Sequence, residues 1–244
     1  MIDKKELTKL LSFMATFDGG IYYRNPSAKN PAFIMNMREE NLDYVEWVRD
    51  TLHNITGAAI ADRKDYNTDG YSRKTQVRLD SNQHPFLKTL HDRIYINKHK
   101  VIDPHMLKLL DAEALAIIFM ADGCSSLIKG HKSPSATIRL FTCGFSYADN
   151  MSLSKAIYNK LNIITTVGKH GKYWKLNVKS SSIVDFARIV QPYVCDSFLY
   201  KIEQLAPFLE HREGGDIVCS VRERIEAGGR LPVPGEDSRV TRKV

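Results

Sequence analysis

The sequence predicts an α+β fold built from two pseudo-symmetric halves, each with the element order αββαββα. Three observations carry this reading. Two apolar runs of helix length end in the same Asp-Gly pair, the order of element types behind each run is the same, and the strands alternate polar with apolar residues. The predicted division is 1–103 for an N-terminal half with its linker, 104–210 for a C-terminal half, and 211–244 for an extension holding a short helix.

The first run is LLSFMATFDGG, Leu10 to Gly20, and the second is LAIIFMADGC, Leu115 to Cys124. Each predicts a helix buried on most of its sides. Asp18 and Asp122 set the register of an internal duplication. After Asp18 come GIYYRN, a turn rich in Pro, Ser and Asn, and AFIMNMR; after Asp122 come CSSLIKG, a Ser/Pro turn and SATIRLFT. Each pair reads as a β-hairpin. Amphipathic helices follow: NLDYVEWVRDTLHN, with Leu42, Val45, Val48 and Leu52 as its apolar face, and NMSLSKAIYNKLN, with Met151, Ile157 and Leu161. Second hairpins turn at Asp69-Gly70 and His170-Gly171, dipeptides that tolerate the positive φ of a tight turn. HPFLKTLHDRIY and SSIVDFARIVQPYV close the halves, NKHKVIDPHMLKLLDAE links them, and DIVCSVRERIEA predicts the helix of the extension.

With 244 residues, 43% of them hydrophobic, the chain is long enough to bury a substantial core. Lysine and arginine total 35 against 28 acidic residues, a formal charge of +7 that favours polyanionic partners. No apolar stretch approaches the roughly 18–20 residues needed to cross a bilayer. MIDKKELTKL lacks the apolar core of a signal peptide. The expectation is an intracellular protein, in the cytoplasm of a bacterial or phage-infected cell or in an organelle, without membrane association. Cys124, Cys143, Cys195 and Cys219 form no CxxC pair and are expected to be buried free thiols. No GxxxxGK[ST] loop supports nucleotide hydrolysis.

The strands carry a second signal. In RKTQVRL, Lys74, Gln76 and Arg78 share one face, opposite Thr75, Val77 and Leu79. KYWKLNV puts Tyr173, Lys175 and Asn177 opposite Trp174, Leu176 and Val178. AFIMNMR sets Asn36 and Arg38 against Phe33, Met35 and Met37, and ATIRLF sets Thr137 and Arg139 against Ile138 and Leu140. A plain solvated sheet face would also alternate. These outward positions, however, are Arg, Lys, Gln, Asn and Thr, the types that hydrogen-bond base edges and phosphates, with almost no carboxylates among them. A curved antiparallel sheet with such a face suits duplex DNA.

The two aspartates stand at helix C-termini, where the helix dipole already places negative charge. An Asp-Gly pair can be a simple helix stop, but two copies in register before basic hairpins point elsewhere. Packed side by side, two such helices would juxtapose their carboxylates, and a divalent cation would relieve the repulsion.

These residues resemble the LAGLIDADG homing endonucleases over nearly the whole chain to about Glu210, through LSFMATFDGG, LAIIFMADGC and the element order behind each. The resemblance implies that the two motif helices form the interface between the halves, beneath a DNA-binding saddle of antiparallel sheets. It implies Asp18 and Asp122 as metal ligands, helped by the backbone carbonyls of Phe17 and Ala121, with two or three Mg²⁺ ions for which Ca²⁺ or Mn²⁺ can substitute. Lys98 or Lys100 in one half and Lys201 in the other match the stretch where the family places a catalytic lysine. Arg24, Asn36, Arg38, Lys74, Gln76, Arg78, Thr137, Arg139, Lys175 and Asn177 would contact DNA. The implied activity is cleavage of both strands at a long asymmetric site, leaving short 3′ overhangs, by a monomer. The rival reading is a LAGLIDADG-derived intron RNA maturase, with the host intron RNA as partner, or a non-cleaving DNA-binding regulator. Family helices often carry glycine or alanine five residues before the aspartate, where this chain has Phe13 and Ile117. GIYY has no YIG partner nearby, and His91, Asn97 and His99 do not make an HNH motif, which needs a histidine on a preceding strand.

Overall fold

The structure is a computed structural model that describes residues 2–63, 75–128, 133–212 and 214–226. The first half runs α1 (Lys4–Phe17), β1 (Gly20–Tyr22), β2 (Ala32–Arg38), α2 (Leu42–Leu52), β3 (Ala58–Arg63), β4 (Gln76–Ser81) and α3 (Pro85–Ile94). A small hairpin, β5 (Tyr95–Ile96) with β6 (His99–Lys100), and the short α4 (Pro104–Lys108) form the link. The second half repeats the order as α5 (Ala112–Asp122), β7 (Gly123–Ile128), β8 (Ser135–Leu140), α6 (Tyr147–Leu161), β9 (Thr165–His170), β10 (Tyr173–Val178) and α7 (Ile183–Val190). Three helices follow: α8 (Tyr200–Glu203), α9 (Ala206–His211) and α10 (Gly215–Glu226). The two four-stranded sheets share one topology, β1-β2-β4-β3 and β7-β8-β10-β9, with every neighbouring pair antiparallel.

Local chemistry explains the boundaries. Asp111 caps α5 by accepting from the Ala114 amide at 2.9 Å. Ser146 and Asp149 make a reciprocal capping box at the start of α6, and Asn162 ends that helix in the left-handed region at φ 57°. Gly171 turns the β9–β10 hairpin at φ +59°, as the sequence predicts. The Asp69-Gly70 turn lies outside the described residues. Gly123 has a steric role: a Cβ there would collide with the Phe119 carbonyl, so only glycine lets β7 leave α5 directly after Asp122.

The two motif helices α1 and α5 pack against each other at the centre. On α5 every residue from Ala114 to Met120 is buried, because α1 covers one side, α7 another and the second sheet a third. One apolar cluster runs from Leu7 on α1 through Phe33, Val77 and Leu79 of the first sheet to Ile138, Leu140 and Leu176 of the second. Phe13 and Ile117, where the family often has small residues, are wholly buried in it. At the far end of the pair, the buried Lys9 ammonium bridges Glu6, Asp111 and Glu113 at 2.6, 2.6 and 2.9 Å.

Two predicted apolar faces shift. Leu42 and Met151 are 38% and 45% exposed, while Tyr44 and Leu153 turn inward, because each helix is rotated slightly from the stripe read in sequence. The extension does form a helix, α10, whose Ile217, Val218 and Val221 are buried. The four cysteines are free, yet only Cys195 is buried; Cys124 and Cys219 are exposed because they fall on outward positions of β7 and α10. Among the described residues no helix is long and apolar enough to cross a membrane.

Candidate metal centre and nucleic-acid interface

The C-termini of α1 and α5 come together, and each meets a lysine from its own half. Helix α1 ends with the Asp18 and Gly19 amides both donating to the Met14 carbonyl, at 3.1 and 2.8 Å. The Lys100 ammonium donates to the next exposed carbonyls, Ala15 at 2.8 Å and Thr16 at 3.2 Å, and to Gly19 at 2.5 Å. On α5 the Gly123 amide donates to Phe119. The Lys201 ammonium donates to Phe119 at 3.1 Å and Met120 at 2.7 Å. Helix ends leave four carbonyls without intrahelical donors, and here lysines supply what the backbone does not. Among the described residues no hydrogen bond reaches the carbonyl oxygen of Phe17 or of Ala121, the residue directly before each aspartate.

The carboxylates sit in a poorly solvated place. Burial pushes Asp18 up to about 6, against a hydrogen bond from Tyr44 and the charges of Lys201 and Lys100. Burial, then the Asp18 charge, pushes Asp122 up to about 7, against the same two lysines. Mutual repulsion of this kind places the two acids within electrostatic reach of one another. Burial lowers Lys201 to about 8 and lowers Lys100 in the same direction, while both aspartates oppose the change. The sequence predicts a conflict between helix dipole and carboxylate; the lysines resolve part of it.

Lys100 and Lys201 therefore join Asp18, Asp122, Phe17 and Ala121 at one centre. Lys98 does not: it is exposed in the β5–β6 turn, at φ 65°, two residues before Lys100. A cleft of about 720 Å³ opens beside the centre, lined by Asp18, Ala121 and Lys201 and by Asn36, Arg38 and Gln76 of the first sheet. Among the described residues no group of three or more His, Cys, Asp or Glu side chains could hold a metal ion. An ion here would draw on two carboxylates and on main-chain oxygens, a hard all-oxygen set of the kind Mg²⁺ and Ca²⁺ accept. Sequence reasoning missed Tyr44, whose hydroxyl donates to Asp18 Oδ2 at 2.6 Å. It occupies an ordinary core position of α2, and no sequence signal separates it from a packing residue.

The outward faces hold the other predicted residues. Asn36 pairs across the sheet with Arg78, Arg38 with Gln76, and Asn177 with Arg139, so each pair shares a face; Thr137 of β8 and Lys175 of β10 lie on the corresponding face of the second sheet. Lys74 lies outside the described residues. The expectation of a face almost without carboxylates fails on the first sheet. Strand β4 continues past Leu79, which adds Asp80 to the face of Gln76 and Arg78. Asp80 binds Arg24 at 2.5 Å and Arg78 at 3.0 Å, and Glu40 binds Arg38 at 3.1 Å. On the second sheet the outward cation leans on a ring instead: Lys175 lies 5.3 Å from the centre of Phe141.

Residues 18–186 match the model of the LAGLIDADG DNA endonuclease family. The chain belongs to that family. Among solved structures, the LAGLIDADG chain is similar to the homing endonuclease I-WcaI bound to its DNA recognition sequence, with a TM-score of 0.68 and 18% identity over 83% of this chain and 88% of that one. It is also similar to meganuclease I-SmaMI bound to uncleavable DNA, with a TM-score of 0.52 and 11% identity over 94% of this chain and all of that one. These likenesses establish the fold, two sheets forming a saddle over the paired motif helices. A curated relative is the cytochrome b mRNA maturase bI2 of Saccharomyces cerevisiae, 35% identical over 106 residues, 42% of this chain. The match spans 23% of that relative's length.

Proposed function

We propose that this LAGLIDADG protein is a monomeric, Mg²⁺-dependent, site-specific double-strand DNA endonuclease, with halves at 1–103 and 104–210, that leaves short 3′ overhangs. The observation that carries the reading is the pairing of Asp18 and Asp122 at adjacent helix ends, each beside a main-chain oxygen that accepts no hydrogen bond among the described residues. Asp18, Asp122 and the Phe17 and Ala121 carbonyls would hold two or three divalent ions, Mg²⁺ with Ca²⁺ or Mn²⁺ as substitutes. What such ions supply is polarisation of a phosphate oxygen and a lower pKa for a coordinated water. The protein's own groups do the rest. Lys100 and Lys201 fix the helix ends and temper the paired negative charge, and the faces carrying Arg24, Asn36, Arg38, Lys74, Gln76, Arg78, Thr137, Arg139, Lys175 and Asn177 would hold the duplex.

The resemblance to a cytochrome b mRNA maturase favours a second reading, in which the chain assists splicing of its host intron RNA, alone or alongside cleavage. Incubation with a plasmid library of candidate intron-insertion sites separates the two. Endonuclease activity predicts Mg²⁺-dependent linear product that Asp122→Asn abolishes. Equal DNA binding by wild type and Asp122→Asn, with no cutting of any site, would leave the binding or maturase reading in its place.

A further inference from the structure

The two acids differ in how they are held, although the helices that carry them match. Tyr44 of α2 is fully buried, and its hydroxyl donates to Asp18 Oδ2 at 2.6 Å. Its ring is locked from two sides, by Trp47 at 5.7 Å between centroids and edge-on by Phe198 at 5.6 Å. Phe198 belongs to the other half. The neighbouring Asp43 fixes the start of α2 to that half as well, its Oδ2 accepting from the Ser197 amide at 3.0 Å. A hydroxyl clamped in this way has little freedom to leave its carboxylate.

Among the described residues of the second half nothing corresponds to it. The residue matching Tyr44, third in α2, is Asp149, third in α6, and its carboxylate accepts from the Ser146 amide and hydroxyl in the capping box instead of donating to Asp122. The buried polar residue of α6, Asn150, turns instead to Thr142, Phe145 and Ser146. Among the described residues no side-chain hydrogen bond reaches the Asp122 carboxylate.

We propose that Tyr44 is a positioning residue for Asp18, and that it makes the two centres unequal: Asp18 enters ion binding pre-oriented, with Oδ1 presented and Oδ2 restrained, whereas Asp122 must be ordered by the ion itself. Pre-orientation removes part of the ordering cost of binding. The inference rests on the reading that Asp18 and Asp122 ligate the divalent ion.

The test is a titration of the free protein with Mn²⁺, followed by the electron paramagnetic resonance signal of unbound Mn²⁺. The variants are Tyr44→Phe, Asp18→Asn, Asp122→Asn, the Tyr44→Phe/Asp18→Asn pair, and Tyr44→4-aminophenylalanine, which keeps the ring and restores a donor. A hydrogen bond to a charged group corresponds to roughly tenfold or more in an equilibrium constant. Tyr44→Phe should therefore weaken Mn²⁺ binding about tenfold, the aminophenylalanine variant should recover most of it, and Tyr44→Phe should add no loss once Asp18 is Asn. Unchanged Mn²⁺ affinity in Tyr44→Phe, with loss in Asp18→Asn, overturns the positioning role and leaves the metal reading intact. Loss in Tyr44→Phe that is equally large in the Asp18→Asn background makes Tyr44 merely structural. Mn²⁺ binding that neither aspartate variant changes overturns the metal reading and this inference with it.

Discussion

Replacing Asp18 with asparagine should stabilise the metal-free protein while removing its proposed chemistry. Burial raises the Asp18 carboxyl from its ordinary 3.8 to about 6, so the fold binds more protons than the unfolded chain across that interval. Stability of the wild type therefore falls as pH rises through it and is lowest, with respect to this group, above pH 6. At pH 8 the penalty is about 3 kcal/mol, at about 1.4 kcal/mol for each tenfold change in proton affinity. At pH 5 roughly half of it remains. Asparagine has no charge to desolvate, and its carbonyl can still accept from Tyr44. For a chain of this size the gain corresponds to an increase in Tm of about 6–12 °C at pH 8. Scanning calorimetry in EDTA at pH 8 and pH 5 measures it. A variant that melts below the wild type at pH 8, or a difference that does not shrink towards pH 5, would refute the reasoning.

Other consequences concern the lysines, the proton balance and the DNA face. Single-turnover cleavage should drop about 10²-fold in Lys201→Met and Lys100→Met, since each removes fixed positive charge from the centre, and should barely change in Lys98→Met. Because Asp122 lies at about 7, Mg²⁺ binding should release protons near pH 6.5 and tighten as pH rises to 8; calorimetry in buffers of different ionisation enthalpy reads the release. Asp80→Asn frees Arg24 and Arg78 from their carboxylate and should tighten binding to random duplex, whereas Lys175→Ala should reduce the log-log salt slope by about 0.9. Lys9→Met leaves the half-buried Glu113 without its cation and should destabilise the fold by about 1–3 kcal/mol, visible as a lower denaturant midpoint.

Much of this architecture was legible because two different periods are written into the chain. Alternation in AFIMNMR and KYWKLNV survives as the buried Phe33, Met35, Leu176 and Val178 beneath polar outward faces. The duplicated Asp-Gly ends located both acids, since a helix stop, a glycine that alone fits against Phe119 and a paired carboxylate leave a strong local pattern. What was not legible depends on tertiary placement. Lys98 and Lys100 look alike in NKHKVIDP, and only the β5–β6 turn shows which ammonium reaches the end of α1. Tyr44 reads as one more core aromatic. Asp80 was missed because the strand runs two residues beyond the alternating stretch, which brought a carboxylate onto a face that otherwise reads as basic.

The most direct measurement is selection of cut ends from a randomised duplex library incubated with the protein and Mg²⁺, followed by sequencing of both strands. The account predicts one long asymmetric site with short 3′ overhangs, absent in EDTA and absent with Asp18→Asn or Asp122→Asn. Cut ends that persist at the same site in both aspartate variants, or no cut ends at all from wild type that binds duplex DNA, would contradict it.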